Sequence, residues 1–260
     1  MDRPKKSLGQ NFLRDEKVLQ KIIDASGLTP TDSVLEVGPG EGVLTAQLAK
    51  YAGKVIAIEL DGALLPMLTE KFQTITNIEI IHGDILDINL PRLLADRSIA
   101  AYKVIANIPY YITSPIIRLF LEQALQPQEM ILMIQKEVAE RIVAGPGQGS
   151  ILSVSVQYYA AAEIIFEVGK QAFFPVPKVD SAVIKIIPTK KFDKEADKVF
   201  FRIVKAGFAA KRKTLLNNLS NSLQLDKNIV EKKLQALGIA PTTRAQELSL
   251  EKWKEVAGQF

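Results

Sequence analysis

The sequence predicts a doubly wound, Rossmann-like α/β domain followed by a small, basic, all-helical domain. Three observations carry that prediction: five short Val- and Ile-rich runs between residues 32 and 134, helix-length segments between them, and helical patterning past residue 194. The runs occupy 33–37, 55–59, 78–81, 102–106 and 130–134. They are almost continuously apolar, as strands buried on both faces of a parallel sheet must be. Segments 43–52 and 62–74 are long enough for the crossover helices that parallel strands require. Two later runs, 163–168 and 181–187, are expected to pair at the sheet edge. Residues 188–194 mix Pro, Thr and Lys and read as a linker. Helices are expected at 196–209, 213–223, 227–237 and 249–258, with Gly238 as a stop behind the third. The predicted domains are therefore 1–187 and 188–260. In an open sheet of this kind, ligands bind beyond the carboxyl ends of the strands.

Composition narrows the function. The 260 residues are 47% hydrophobic and 24% charged, ordinary globular values. No apolar run reaches the ~20 residues of a membrane helix, and residues 1–6 lead into polar sequence rather than a signal-peptide core. A soluble, cytoplasmic protein is expected. The absence of Cys removes disulfides, thiolate metal sites and Cys nucleophiles. A single histidine, His82, leaves no His-rich metal site, and no metal is expected. Net charge is +4, but residues 1–187 carry 18 Lys and Arg against 21 Asp and Glu, whereas 188–260 carry 15 against 8. A basic block on a mildly acidic one suits a polyanionic partner, most often nucleic acid. A lysine-rich solvated helical surface accounts for the same charges equally well.

The first run ends in Glu36-Val37-Gly38-Pro39-Gly40-Glu41-Gly42. A glycine-rich turn between strand and helix lets a ligand approach backbone that a Cβ would block. The spacing is not the dinucleotide G-x-G-x-x-G, because residue 43 is Val, and no Gly-Lys-Ser/Thr of a P-loop follows. Glu36 and Glu41 are poor neighbours for a pyrophosphate. They suit a phosphate-free, cationic ligand, which describes S-adenosylmethionine. Gly38 and Gly40 would then lie against it. Glu59 ends the second run, 21 residues after Gly38, near the ~20-residue offset of a ribose-binding acid. Its carboxylate is suited to accept from both ribose hydroxyls. Asp84, just past the third run, is suited to accept from an adenine amino group.

The fourth run ends in Asn107-Ile108-Pro109-Tyr110. An adenine amino nitrogen is a poor nucleophile, since its lone pair is delocalised into the ring. The Asn107 amide oxygen and a neighbouring carbonyl are suited to accept its two N–H bonds and aim that lone pair at a sulfonium methyl. Pro109 stiffens the turn, and Tyr110 offers an aromatic face to an extruded base. Such a site works by positioning and electrostatics, so it needs no His or Cys. Further on, Phe173-Phe174-Pro175-Val176-Pro177-Lys178 forms a proline-stiffened loop. Phe173 is a candidate second wall opposite Tyr110, and Lys178 a candidate phosphate contact; ordinary core burial of the two phenylalanines competes. Residues 5–13, Lys-Lys-Ser-Leu-Gly-Gln-Asn-Phe-Leu, read as a segment that folds over a ligand.

Together these motifs resemble the rRNA adenine N6,N6-dimethyltransferase family over nearly the whole chain. The resemblance covers residues 7–13, Glu36 to Gly42, Glu59, Gly83-Asp84, Asn107 to Tyr110 and 173–181. Residues 111–115 and the run Lys211-Arg212-Lys213-Thr214-Leu215-Leu216-Asn217-Asn218-Leu219 are similar to the small-subunit branch. The chain has Ala210 where those relatives commonly have Gln, and Phe174 where Thr is common. The resemblance implies a class I methyltransferase fold and dimethylation of two adjacent adenosines in the 3′-terminal hairpin of small-subunit (16S) rRNA, with S-adenosylmethionine as donor. It implies donor contacts at Asn11, Leu13, Gly38, Glu59, Asp84 and Asn107, and base handling by Asn107, Tyr110 and Phe173. It further implies a late role in assembly of the 30S particle, with Lys211, Arg212 and Lys213 on rRNA backbone; a monomer is the default. The alternatives are a large-subunit methylase of the macrolide-resistance type and an rRNA-binding assembly factor without catalysis. A DNA adenine methylase fits less well, since Ile108 stands where a Pro is typical.

Overall fold

Residues 10–260 are described by a computed structural model, and residues 5–9 of the N-terminal motif lie outside it. In chain order the first half contains β1 (Phe12–Leu13), α1 (Glu16–Ser26), β2 (Ser33–Val37), α2 (Val43–Tyr51), β3 (Lys54–Glu59), α3 (Leu65–Phe72), β4 (Ile78–His82), α4 (Leu90–Ala95) and β5 (Lys103–Asn107). Then come α5 (Thr113–Leu121), β6 (Met130–Gln135), α6 (Lys136–Val143), α7 (Ile151–Tyr159), β7 (Ala160–Val168), β8 (Phe173–Phe174) and β9 (Ser181–Pro188). Four helices complete it: α8 (Lys194–Gly207), α9 (Leu215–Leu223), α10 (Lys227–Ala236) and α11 (Leu250–Ala257). Among the described residues, no helix is long and apolar enough to cross a membrane.

Seven strands form one sheet in the order β4-β3-β2-β5-β6-β9-β7. The five runs read from the sequence are its five parallel strands, and the two later runs are neighbours at its edge. β9 lies antiparallel to β6, with Gln135 opposite Ser181. β3 and β6 are buried along almost their whole length, which is why their sequences do not alternate. From β2 the chain winds outward through β3 to β4, then returns to place β5 on the other side of β2. That reversal opens a crevice at the carboxyl ends of β2 and β5.

Two elements near the N-terminus go beyond the sequence reading. Helix α1 is capped by the Asp15 carboxylate, which accepts from the Lys17 and Val18 N–H groups, and it ends at left-handed Gly27. Its buried face is Leu19, Ile22 and Ile23. Ahead of it, β1 pairs antiparallel with β8, Phe12 opposite Phe174 and Leu13 opposite Phe173.

The chain divides into two compact units. One runs to Ala139 and resumes over Ala161–Thr189; the other joins Glu140–Ala160 to Lys190–Phe260. The expected linker at 188–194 shrinks, because Pro188 still belongs to β9 and α8 starts at Lys194. Residues 140–160, expected with the sheet, join the helical unit instead. The reason is packing: Tyr158 stacks on Phe200 of α8 at 4.0 Å between centroids. Buried Asp197 also accepts from the hydroxyls of Tyr158 and Tyr159, each at 2.9 Å, and from Lys190 at 2.6 Å.

Candidate active site

The crevice at the strand ends is walled by residues 10–13, the 36–41 turn, Glu59, Asp84 and the segment 107–112. Four carboxyl side chains line it, those of Glu36, Glu41, Glu59 and Asp84, and among the described residues no Lys or Arg does.

Gly38, Gly40 and Gly42 all hold positive φ, at 68°, 58° and 70°. The turn between β2 and α2 therefore needs glycine for conformation at each position. Gly40 also needs it for space, since a methyl group there would meet Phe12 Cε1 at 2.9 Å. The ring of Phe12 thus lies directly on the glycine turn.

Glu59 is 5% exposed at the end of β3. Its Oε2 accepts from the Gly40 N–H at 3.0 Å and its Oε1 from the Asp61 N–H at 2.8 Å. Burial raises its pKa, and these two bonds act against that rise. They lock the carboxylate in one orientation, and each oxygen keeps a further lone pair for a ribose hydroxyl. Asp84 accepts from the Leu86 N–H at 2.9 Å, which orders the turn beyond β4.

The two acidic flanks of the glycine turn differ in surroundings and charge. Glu41 pairs with Arg14 at 2.6 Å, a partly exposed ion pair that offsets its charge. Glu36 is 1% exposed, and its Oε2 has no hydrogen-bond partner among the described residues. Desolvation, with the charge of Glu59 adding to it, pushes the Glu36 carboxyl up to about 8. At neutral pH the Glu36 carboxyl thus keeps its proton.

Asn107 ends β5, with its side-chain Nδ2 donating to the Asn11 carbonyl at 3.2 Å. Only the NH₂ end is able to make that bond, so Oδ1 is left as the acceptor in the crevice wall. The Ile108 N–H donates to Met133 O at 3.0 Å, and Pro109 O accepts from Ile112 at 3.1 Å. The Ile108 carbonyl receives no donor among the described residues, which makes it the second acceptor of the segment. Tyr110 opens a 3-10 turn, and its hydroxyl shares a 2.8 Å hydrogen bond with Ser181 Oγ. Burial raises the phenol above its usual range, so it stays neutral. Ser181 is fully buried and was missed in the sequence; only the antiparallel seat of β9 brings it to Tyr110.

The structure brings Asn11, Leu13, Gly38, Gly40, Glu59, Asp84, Asn107 and Tyr110 to one crevice. It does not bring Phe173 there. That ring is 3% exposed and packs in the core with Leu13, Leu19 and Ile105, so the wall expected opposite Tyr110 is absent in this arrangement. Period-two alternation is the cause: Leu13 and Phe173 share the inner face of the β1–β8 pair, while Phe12 and Phe174 share the other. Lys178 is exposed in the loop that follows. Lys211, Arg212 and Lys213 belong to the helical unit, exposed in the turn between α8 and α9 rather than on a helix. Asn218 Nδ2 supports that turn, donating to Gly207 O at 2.6 Å and Ala210 O at 3.0 Å.

Comparison with known proteins adds independent findings. The model of the family described as ribosomal RNA adenine dimethylase matches residues 1–260. A ribosomal RNA small subunit methyltransferase A of Dehalococcoides mccartyi is 44% identical over 260 residues, covering 99% of this chain and 89% of the relative. The crystal structure of a dimethyladenosine transferase from Plasmodium falciparum aligns with a TM-score of 0.78 at 27% identity, over 94% of this chain and 95% of that one. That of the 23S rRNA methyltransferase ErmE aligns at 0.75 with 28% identity, over 96% and 99%.

Proposed function

The chain belongs to the ribosomal RNA adenine dimethylase family, and from that premise we propose how its residues carry the reaction. It is an S-adenosylmethionine-dependent 16S rRNA adenine N6,N6-dimethyltransferase. Its substrate is two adjacent adenosines of the 3′-terminal hairpin, presented on the 30S particle late in assembly, and it acts as a cytoplasmic monomer. The large-subunit reading is not favoured, because the higher identity lies with a small-subunit enzyme. A binding factor without catalysis is not favoured either, since the crevice retains its acceptors.

One observation carries the assignment of roles: a crevice lined by four carboxyls and, among the described residues, no Lys or Arg, with an anchored Asn107 amide at its edge. S-Adenosylmethionine fits that lining because it is cationic and has no phosphate; when bound, it supplies an electrophilic methyl group. Glu59 takes the ribose hydroxyls, Asp84 the adenine amino group of the donor, and Gly38 and Gly40 let the donor lie on the backbone. Asn11 and Leu13 close over it. Asn107 Oδ1 and the Ile108 carbonyl accept the two N–H bonds of the target adenine and turn its lone pair toward the donor. Tyr110 stacks on that base. No general base is needed, because the proton becomes acidic once the nitrogen is alkylated. The helical unit, through Lys211, Arg212 and Lys213, holds rRNA phosphates.

Asn107→Ala tests this directly. Methyl transfer to unmethylated small-subunit particles should fall at least ~100-fold, the scale of losing one preorganised polar contact to the reacting group. Particle binding should stay within about twofold of the parent. Mass spectrometry of the treated rRNA identifies the acceptor and the methyl count. Parent-like dimethylation by the variant would refute the role given to Asn107.

A further inference from the structure

The β1–β8 pair has two faces with different fates. Leu13 and Phe173 are buried on one; Phe12 and Phe174 lie directly opposite each other on the other. Side chains of such a cross-strand pair stand roughly 5 Å apart on the same face. Phe12 lies on Gly40 and lines the crevice, and Phe174 is its cross-strand neighbour on the same face of the pair. Phe174 is 59% exposed, an aromatic ring left in water next to a strand residue that lines a polar site. Exposed Lys178 follows it in the same loop, past Pro175 and Pro177.

An exposed aromatic ring and a lysine four residues on in the same loop suit one nucleotide: the base stacks, and the lysine meets its phosphate. The target adenine itself belongs deeper, beside Asn107 and Tyr110. We propose that Phe174 is a stacking platform for the unpaired nucleobase next to the target adenosine in the substrate RNA, with Lys178 taking the accompanying phosphate. This deepens the rRNA-methyltransferase reading and rests on it. It makes Phe174 a determinant of RNA affinity in this chain.

The test compares the parent with Phe174→Ala, Phe174→Leu and Phe174→Trp on small-subunit particles, reading KM and kcat separately, the donor Kd and the unfolding midpoint. Loss of one base–aromatic stack should raise KM for the particle about tenfold in both the Ala and the Leu variants. The Trp variant should stay within about twofold, and kcat, donor Kd and unfolding midpoint should hold throughout. Parent-like KM in Phe174→Ala overturns the proposal. So does a Leu variant as good as the parent, which means apolar cover without stacking. A donor Kd that weakens in step with KM also overturns it, since Phe174 then only braces Phe12. If the parent itself transfers no methyl to the particles, the functional reading fails first and takes this one with it; transfer by the parent with indifference at residue 174 sinks the stacking role alone.

Discussion

Glu36 and Glu59 bury their carboxyls beside the same crevice and resolve the cost in opposite ways. Glu59 has a backbone N–H on each oxygen, whereas Glu36 Oε2 has no partner among the described residues and its carboxyl is pushed up to about 8. Between its ordinary value of 4.5 and about 8, the folded protein keeps a proton at Glu36 that the unfolded chain has lost. Stability must then fall as pH rises through that window, by at most about 1.4 kcal/mol per pH unit, and level off above it. Glu36→Gln keeps the shape and removes the titration. Urea unfolding at pH 5, 7 and 9 should show the variant close to the parent at pH 5 and clearly more stable at pH 9. An identical pH profile for the two proteins would mean that Glu36 is not held protonated.

At the level of elements, the strand–turn–helix from β2 to α2 shows how conformation and space act together. Gly42 has φ of 70°, and a methyl group there would meet Phe72 at 2.6 Å and Leu68 at 3.0 Å, both on α3. Gly238 has φ of 71° but nothing within 4 Å of such a methyl. Gly238→Ala should therefore cost only the ~1–2 kcal/mol of a left-handed alanine. Gly42→Ala should cost roughly 2–5 kcal/mol, because an overpacking penalty adds to that strain. Chemical denaturation of both variants decides it; equal losses would show that the α3 contact yields freely. This turn and the parallel strands were legible in the sequence because glycine and two-sided burial leave unambiguous patterns. Helix α1 was not, since its apolar positions 19, 22 and 23 span barely one turn after a segment suited to a ligand lid. Which of Phe173 and Phe174 is buried was also beyond reach, because that depends on a two-residue pairing with Phe12 and Leu13 some 160 residues away.

Across the molecule, charge and chemistry are divided. The crevice proposed for the donor is lined by carboxyls, while the surplus of Lys and Arg lies in residues 188–260, with 15 against 8 acids. The charge split was visible in the sequence. The capture of residues 140–160 by the helical unit was not, because it depends on Tyr158 and Tyr159 meeting Asp197 and Phe200. The division of labour makes a separable prediction. Lys211, Arg212 and Lys213 are exposed, and the turn that carries them is held by Asn218 and by the Thr214 cap on α9, not by their own side chains. Replacing all three by Ala should leave the unfolding midpoint and the donor Kd unchanged. If each meets a phosphate, particle affinity should drop, and the slope of log K against log salt between 50 and 200 mM should flatten by about 2–3. Filter binding of small-subunit particles over that range measures it. A slope equal to the parent's would show that these cations are solvated surface and that the phosphate grip lies elsewhere on the chain.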